Sequence, residues 1–130
     1  DDIVHEVAHS NEKAYAYIIY EDDRVESEFK YKRAALYRTL KDTDAYEVPL
    51  NLVSEINYDR RIDDFLYEEV TYPVLRQLTI GLFTSPYAVT SVREYFSKGF
   101  EEFYLGDKKK LKEICPALYN KLIILDSTEE

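Results

Sequence analysis

The residues best suited to chemistry form the stretch His5-Glu6-Val7-Ala8-His9, which follows the pattern HExxH and contains both histidines of the sequence. In a helix, side chains four positions apart lie on one face, so both imidazoles can reach the same metal ion. Glu6 is rotated by about 100° from His5, which places its carboxylate beside that ion. A carboxylate there suits a general base acting on metal-bound water. The pattern therefore indicates a hydrolytic metal site.

The same stretch also has an ordinary structural interpretation. His5 and His9 could be polar residues of an amphipathic helix that binds no metal. The two interpretations differ in their need for a third ligand, because catalytic zinc takes three protein ligands and keeps one position open for water. The rest of the chain must therefore supply that ligand if the metal interpretation holds.

A carboxylate is the expected third ligand, because both histidines are used and the single thiol, Cys115, is distant in sequence. Glu94 is the candidate, since it lies near the start of a predicted helix with apolar neighbours that would hold it firmly. Tyr87 lies seven residues earlier in a predicted loop, from which its phenol could lie over the ion. Two alternatives stay open: Ser91 and Glu94 also fit a capping box, and Tyr87 is one of 13 tyrosines.

The elements that would position these residues are predicted to be helices. Only three Gly and four Pro are present, which favours helices over a turn-rich β fold. Apolar residues at helical spacing predict helices over 2–20, 24–40, 50–57, 63–70, 72–82 and 91–105, and a last one from Pro116. The predicted buried face of the first helix comprises Val4, Val7, Ala8, Ala14, Tyr15 and Ile18. A loop is predicted over 84–88, a helix stop at Gly106-Asp107, and a solvated turn at the three lysines 108–110.

Composition limits the range of functions. The chain has 130 residues, 45% of them hydrophobic, which fits one mainly α domain with a core. A formal charge of −9 argues against nucleic acid as a partner, because its phosphate backbone would be repelled. It is compatible with a cationic peptide, although acidic surfaces are more often simply soluble ones. No apolar run is long enough for a membrane span, and the first residues do not resemble a signal peptide.

Two further groups of residues have mainly structural interpretations. The acidic residues Asp63, Asp64, Glu68 and Glu69 could imitate a metal site, but no histidine joins them, so a solvated helix face is expected. Cys115 lies before a proline in an apolar context. A buried, inert thiol is therefore expected in place of a nucleophile.

Three segments together resemble the anthrax lethal factor-like zincin metallopeptidases, a family related to the Pro-Pro endopeptidases. They are the HEVAH stretch at 5–9, Ser85-Pro86-Tyr87 with the segment REYFSKGF at 93–100, and the closing segment ALYNKL at 117–122. The family pattern is HExxH, then a Tyr, then a Glu seven residues on. The spacing from Tyr to Glu makes the resemblance more specific than HExxH alone.

The resemblance implies a zinc endopeptidase that acts on a protein or peptide. His5, His9 and Glu94 would hold Zn²⁺, which would lower the pKa of its water toward about 7. Glu6 would be the general base, and Tyr87 would donate a hydrogen bond to the oxyanion of the tetrahedral intermediate. Secretion and a toxin-like role are implied by the resemblance alone.

The chain departs from the family pattern at three points. Lys98 replaces the second acid, which commonly orients a ligand histidine; Glu101 and Glu102 are the candidates to substitute for it. Ala8 stands where Gly is common. The interval between His9 and Tyr87 is longer than usual, which implies an inserted helical segment between residues 24 and 82.

The family also predicts what part of a domain the chain represents. The active-site helix of a zinc peptidase normally packs under a β-sheet that lies earlier in the chain and pairs with substrate. Residues 1–130 are therefore expected to be the C-terminal helical part of a zincin-like domain, with the active-site helix first and an upstream part needed for activity. Two rivals remain: a catalytically inactive zincin-like binding module, and a helical interaction domain with an accidental HExxH.

Overall fold

The prediction of a mainly helical chain is confirmed. The computed structural model describes the backbone of residues 2–128 and the side chains of residues 3–127, and this part contains no β-strand. It forms seven α-helices: α1 (Asp2–Tyr20), α2 (Arg24–Asp42), α3 (Arg60–Asp64), α4 (Tyr72–Leu78), α5 (Val92–Leu105), α6 (Lys108–Ile114) and α7 (Pro116–Thr128). No helix over residues 2–128 is long and apolar enough to cross a membrane.

Helix α1 packs chiefly against α5, and this pairing decides which face of α1 is buried. Ala8 and Ile19 are fully buried, and Val4 is half-buried against the core. The prediction that Val7 and Ala14 belong to the buried face is wrong, because both are exposed, Val7 to 44%. Val7 directly precedes Ala8 and Ala14 directly precedes Tyr15, so each is rotated by about 100° from a residue that packs inward.

The predicted helix over 50–57 is also wrong. Only a short 3₁₀ turn, Leu50–Leu52, forms there. The Ile56 carbonyl accepts a hydrogen bond from the backbone N–H of Val92 at 2.7 Å, and the Leu52 and Glu55 carbonyls accept from a buried arginine. These carbonyls bond to distant parts of the chain, so the segment does not continue as a helix.

The remaining boundaries differ by a few residues. Helix α3 begins three residues before the predicted start, because the Asp59 carboxylate caps it, and it continues as a wider π-helical turn over Phe65–Val70. Thr71, with φ of 73°, separates that turn from α4. The lysines at 108–110 open α6, because the Asp107 side chain accepts hydrogen bonds from the backbone N–H groups of Lys109 and Lys110. The solvated turn predicted there is therefore wrong.

Arg33 fixes the turn that precedes α5. Its side chain is fully buried, and Nε and Nη2 donate to the carbonyls of Val89 at 2.7 Å and Thr90 at 3.0 Å. The same guanidinium donates to the Leu52 and Glu55 carbonyls. Burial lowers the pKa of Arg33 to about 10. One side chain thus joins α2 to the loop after residue 52 and to the turn that carries Tyr87.

Candidate metal centre

Helices α1 and α5 bring three candidate ligands together. His5 and His9 lie one turn apart on α1, with their Nε2 atoms 2.9 Å from each other. The Glu94 carboxylate of α5 reaches both, with Oε1 3.4 Å from His9 Nε2 and Oε2 3.8 Å from His5 Nε2. His9 and Glu94, which are 85 positions apart in sequence, therefore meet at one point.

Glu94 reaches the histidines although it also begins a helix. The Ser91 hydroxyl caps α5 by accepting a hydrogen bond from the Glu94 backbone N–H at 3.2 Å. The Glu94 carboxylate faces α1, and the hydroxyl of the fully buried Ser97 donates to its Oε2 at 3.2 Å. The residue thus contributes its backbone N–H to the cap and its side chain to the cluster, whereas a capping box would direct that side chain to the Ser91 N–H.

The three side chains fit a zinc ion. Two imidazole nitrogens and a carboxylate oxygen are donors that Zn²⁺ prefers, and one donor atom from each residue lies within 4.8 Å of the others. Donors bound tetrahedrally at about 2.0–2.1 Å would be about 3.3 Å apart. The two Nε2 atoms are 2.9 Å apart, and the two oxygens of Glu94 lie 3.4 Å from His9 Nε2 and 3.8 Å from His5 Nε2. The three side chains are therefore grouped on the scale of such a site.

Of the two acids expected to substitute for the one that Lys98 replaces, Glu101 is the one that contacts His5. Its Oε1 lies 3.2 Å from His5 Nδ1, so His5 can donate its Nδ1–H and keep Nε2 directed at the cluster. Lys98 Nζ lies 3.4 Å from the other oxygen of Glu101, so Oε1 is left to accept the hydrogen bond from His5. Glu102, the second candidate, instead accepts a hydrogen bond from the Asp107 backbone N–H at 3.0 Å.

We expect Glu101→Gln to lower zinc affinity about 10-fold, the usual lower bound for losing an outer partner of a ligand histidine. A neutral amide is a weaker acceptor than a carboxylate, so His5 would be less basic and less well oriented. Competition with a zinc chelator measures the effect. Glu102→Gln is the matched control and should bind zinc like the wild type. Equal losses in both variants would contradict the assignment.

His9 has a different environment. Arg93 Nε lies 2.8 Å from His9 Nδ1 and 3.6 Å from Glu12 Oε1. Tyr20 donates a hydrogen bond to the other oxygen of Glu12 at 2.6 Å. Burial and the nearby Arg93 charge lower the pKa of His9. Sequence reasoning missed Arg93 and Glu12, although one directly precedes Glu94 and the other follows His9 by three positions.

Glu6 lies beside the cluster without belonging to it. Its side chain is exposed and has no hydrogen-bond or salt-bridge partner in the described part of the chain. It follows His5 on α1 and is rotated from it by about 100° around the helix, so it is not one of the three grouped ligands. This leaves the carboxylate available to a water molecule or a substrate.

Tyr87 lies close to the cluster on a short 3₁₀ turn, Pro86–Val89. Its ring is 42% exposed, and Lys98 Nζ lies 5.5 Å from the ring centre. Partial burial and the Glu94 carboxylate raise the pKa of Tyr87. The phenol therefore keeps its proton at neutral pH and can donate a hydrogen bond near the cluster.

A row of three tyrosines begins at Tyr87. The Tyr72 ring lies 6.4 Å from that of Tyr87 and 5.4 Å from that of Tyr67. Tyr67 is exposed. Burial and Asp63 raise the pKa of Tyr72 to about 12. These rings give an aromatic surface on which a bound chain could lie next to the three ligands.

The two groups given structural interpretations behave as expected. Asp64, Glu68 and Glu69 are exposed, and among residues 3–127 only His5, His9 and Glu94 are grouped closely enough to hold a metal. Cys115 is buried, and that burial raises the pKa of its thiol. Neither group competes with the α1–α5 cluster as a site of chemistry.

No protein-family model, curated protein or solved structure matches this chain.

Proposed function

We propose that this chain carries the catalytic site of a zinc-dependent endopeptidase. The observation that supports this most strongly is the convergence of His5 and His9 from α1 with Glu94 from α5, because these are three protein ligands of the kinds found in catalytic zinc sites. The free carboxylate of Glu6 beside them is what a hydrolase requires and what a structural zinc site does not.

The roles follow from the side chains. His5, His9 and Glu94 would hold Zn²⁺, which when bound would polarise a peptide carbonyl and make water acidic enough to attack near neutral pH. Glu6 would take a proton from the attacking water as its oxygen bonds to the carbonyl carbon. Glu6 would then give that proton to the amide nitrogen as the C–N bond breaks.

Tyr87 would stabilise the transition state. Its phenol would donate a hydrogen bond to the carbonyl oxygen as that oxygen becomes negatively charged. The raised pKa of Tyr87 suits this role, because only the protonated phenol can donate. The hydrogen bond would strengthen as charge develops, so it would act mainly on kcat.

We expect Tyr87→Phe to lower kcat about 100-fold, as for loss of one oxyanion donor, with zinc content and KM almost unchanged. Peptide cleavage followed by mass spectrometry provides the measurement. Tyr31→Phe is the matched control, since Tyr31 is also an exposed tyrosine and lies on α2, and it should keep full activity. A Tyr87→Phe enzyme as fast as wild type would remove Tyr87 from the mechanism.

The order and spacing of the motifs resemble the lethal factor-like zincins, which supports a peptide substrate, a zincin-like domain and a secreted, toxin-like protein. The net charge of −9 and the row of tyrosines favour a peptide with cationic and apolar side chains. Incubation of the zinc-loaded protein with a peptide library, followed by sequencing of new amino termini, tests the proposal. Zinc-dependent new termini support it.

A catalytically inactive zincin-like binding module is the second candidate. Lys98 favours it, because a cation lies against both the Tyr87 ring and Glu101, two groups that the reaction would use. Such a module would bind zinc and peptide but release no new termini. A helical interaction domain with an accidental HExxH would bind no zinc.

A further inference from the structure

The two candidate histidine ligands have opposite partners at Nδ1. His5 Nδ1 faces the Glu101 carboxylate at 3.2 Å, whereas His9 Nδ1 faces the Arg93 guanidinium at 2.8 Å. A carboxylate only accepts hydrogen bonds and a guanidinium only donates them. His5 Nδ1 must therefore donate, while His9 Nδ1 must accept.

This difference fixes which nitrogen of each neutral ring carries the hydrogen. His5 carries it on Nδ1, so its Nε2 lone pair is available to a metal. His9 carries it on Nε2, which can donate to His5 Nε2 at 2.9 Å. His5 Nε2 can therefore bind a metal directly, whereas His9 Nε2 carries a hydrogen and cannot.

We propose that Arg93 opposes metal binding at His9, and that Glu12 replaces Arg93 as the partner of His9 when the metal binds. The proposal rests on the zinc site proposed above. A metal on His9 Nε2 requires the ring hydrogen to be on Nδ1. That N–H and the N–H of Arg93 would then face each other, and two donors cannot form a hydrogen bond. The positive charge of Arg93 next to a ligand of a divalent cation adds repulsion.

The surroundings show how the exchange can occur. Arg93 is 60% exposed and can turn into solvent, whereas Glu12 is 14% exposed and is held by the Tyr20 hydroxyl. Glu12 lies on α1 within one turn of His9, and its Oε1 is 3.6 Å from Arg93 Nε. Glu12 is near enough to His9 for its negative charge to act on the imidazole, so when Arg93 leaves, this carboxylate can take the Nδ1–H of His9. A carboxylate bonded to a ligand histidine raises metal affinity.

The first test is zinc affinity by chelator competition. Arg93→Gln should bind zinc about 10-fold more tightly than wild type, and Glu12→Gln about 10-fold more weakly, the usual scale for an outer partner. Arg38→Gln removes an exposed cation from α2 and should leave zinc affinity unchanged. An Arg93→Gln variant that binds zinc as weakly as wild type, or more weakly, would overturn the proposal.

The second test needs no zinc. The chain has two histidines, so ¹⁵N NMR of the ring nitrogens can assign the tautomer of each at a pH where both are neutral. In the zinc-free protein, His5 should carry its hydrogen on Nδ1 and His9 on Nε2, and Arg93→Gln should shift His9 toward Nδ1. Nδ1–H on both rings of the wild type would refute the proposal. This result is independent of hydrolysis, so failure of the proposed enzyme and failure of the Arg93 proposal can be distinguished.

Discussion

Glu6→Gln should abolish peptide hydrolysis while zinc stays bound. The amide has nearly the shape of the carboxylate but cannot take a proton from water, so the general-base contribution, about 10²–10⁴-fold, is lost. Zinc binding should be unchanged, because Glu6 is exposed and lies outside the cluster of His5, His9 and Glu94. Initial rates of peptide cleavage and metal content, measured on the same preparation, test both parts.

Glu21→Gln is the matched control, since it removes an exposed carboxylate just beyond the end of α1 and should leave the rate unchanged. Hydrolysis that survives in Glu6→Gln would exclude Glu6 as the base. Loss of zinc along with activity would instead make Glu6 part of the metal site. Zinc bound by wild type and variant alike, with no hydrolysis by either, would favour the inactive binding module.

Removal of any one candidate ligand should lower the zinc affinity by more than roughly 10–100-fold, which is the loss expected when a residue that hydrogen-bonds a ligand is removed. His5→Ala and His9→Ala each remove an imidazole ligand. Glu94→Ala removes the carboxylate ligand, which also neutralises part of the charge of Zn²⁺. Three ligands are the minimum for a tight catalytic site. Chelator competition gives the zinc affinity, and circular dichroism shows that the helices remain.

Glu68→Ala is the control, because Glu68 is an exposed acid outside the cluster. It should bind zinc like the wild type. Normal zinc affinity in Glu94→Ala, with loss in both histidine variants, would mean that another group supplies the third ligand. Normal affinity in all three variants would place the metal elsewhere.

The helices that hold the site were predictable from local signals. Helix α1 matches its predicted limits, and α5 is predicted to within one residue, because Ser91 caps its start and Gly106 follows its end. The region over 50–57 was not predictable, since its carbonyls bond to Arg33 and to Val92. Those partners are distant in sequence and become neighbours only after folding.

The site likewise combines local features with contacts between residues that are distant in sequence. The spacing of His5 and His9 is a local property of one helix. Glu94 and Tyr87 were candidates because a third ligand was needed, and the family resemblance added the spacing between them. The hydrogen-bond partners at Nδ1 depend on how α1 lies against α5, so the sequence could offer Glu101 only as one of two candidates. It gave no reason to place Arg93 next to His9, because the two are 84 positions apart.

The most direct test of the central claim is the zinc content of the purified wild-type chain by elemental analysis after zinc is supplied and excess removed. The convergence of two imidazoles and one carboxylate predicts about one equivalent per chain, as expected for a single three-ligand site. A chain that retains no zinc under these conditions would contradict the zinc-enzyme account for residues 1–130.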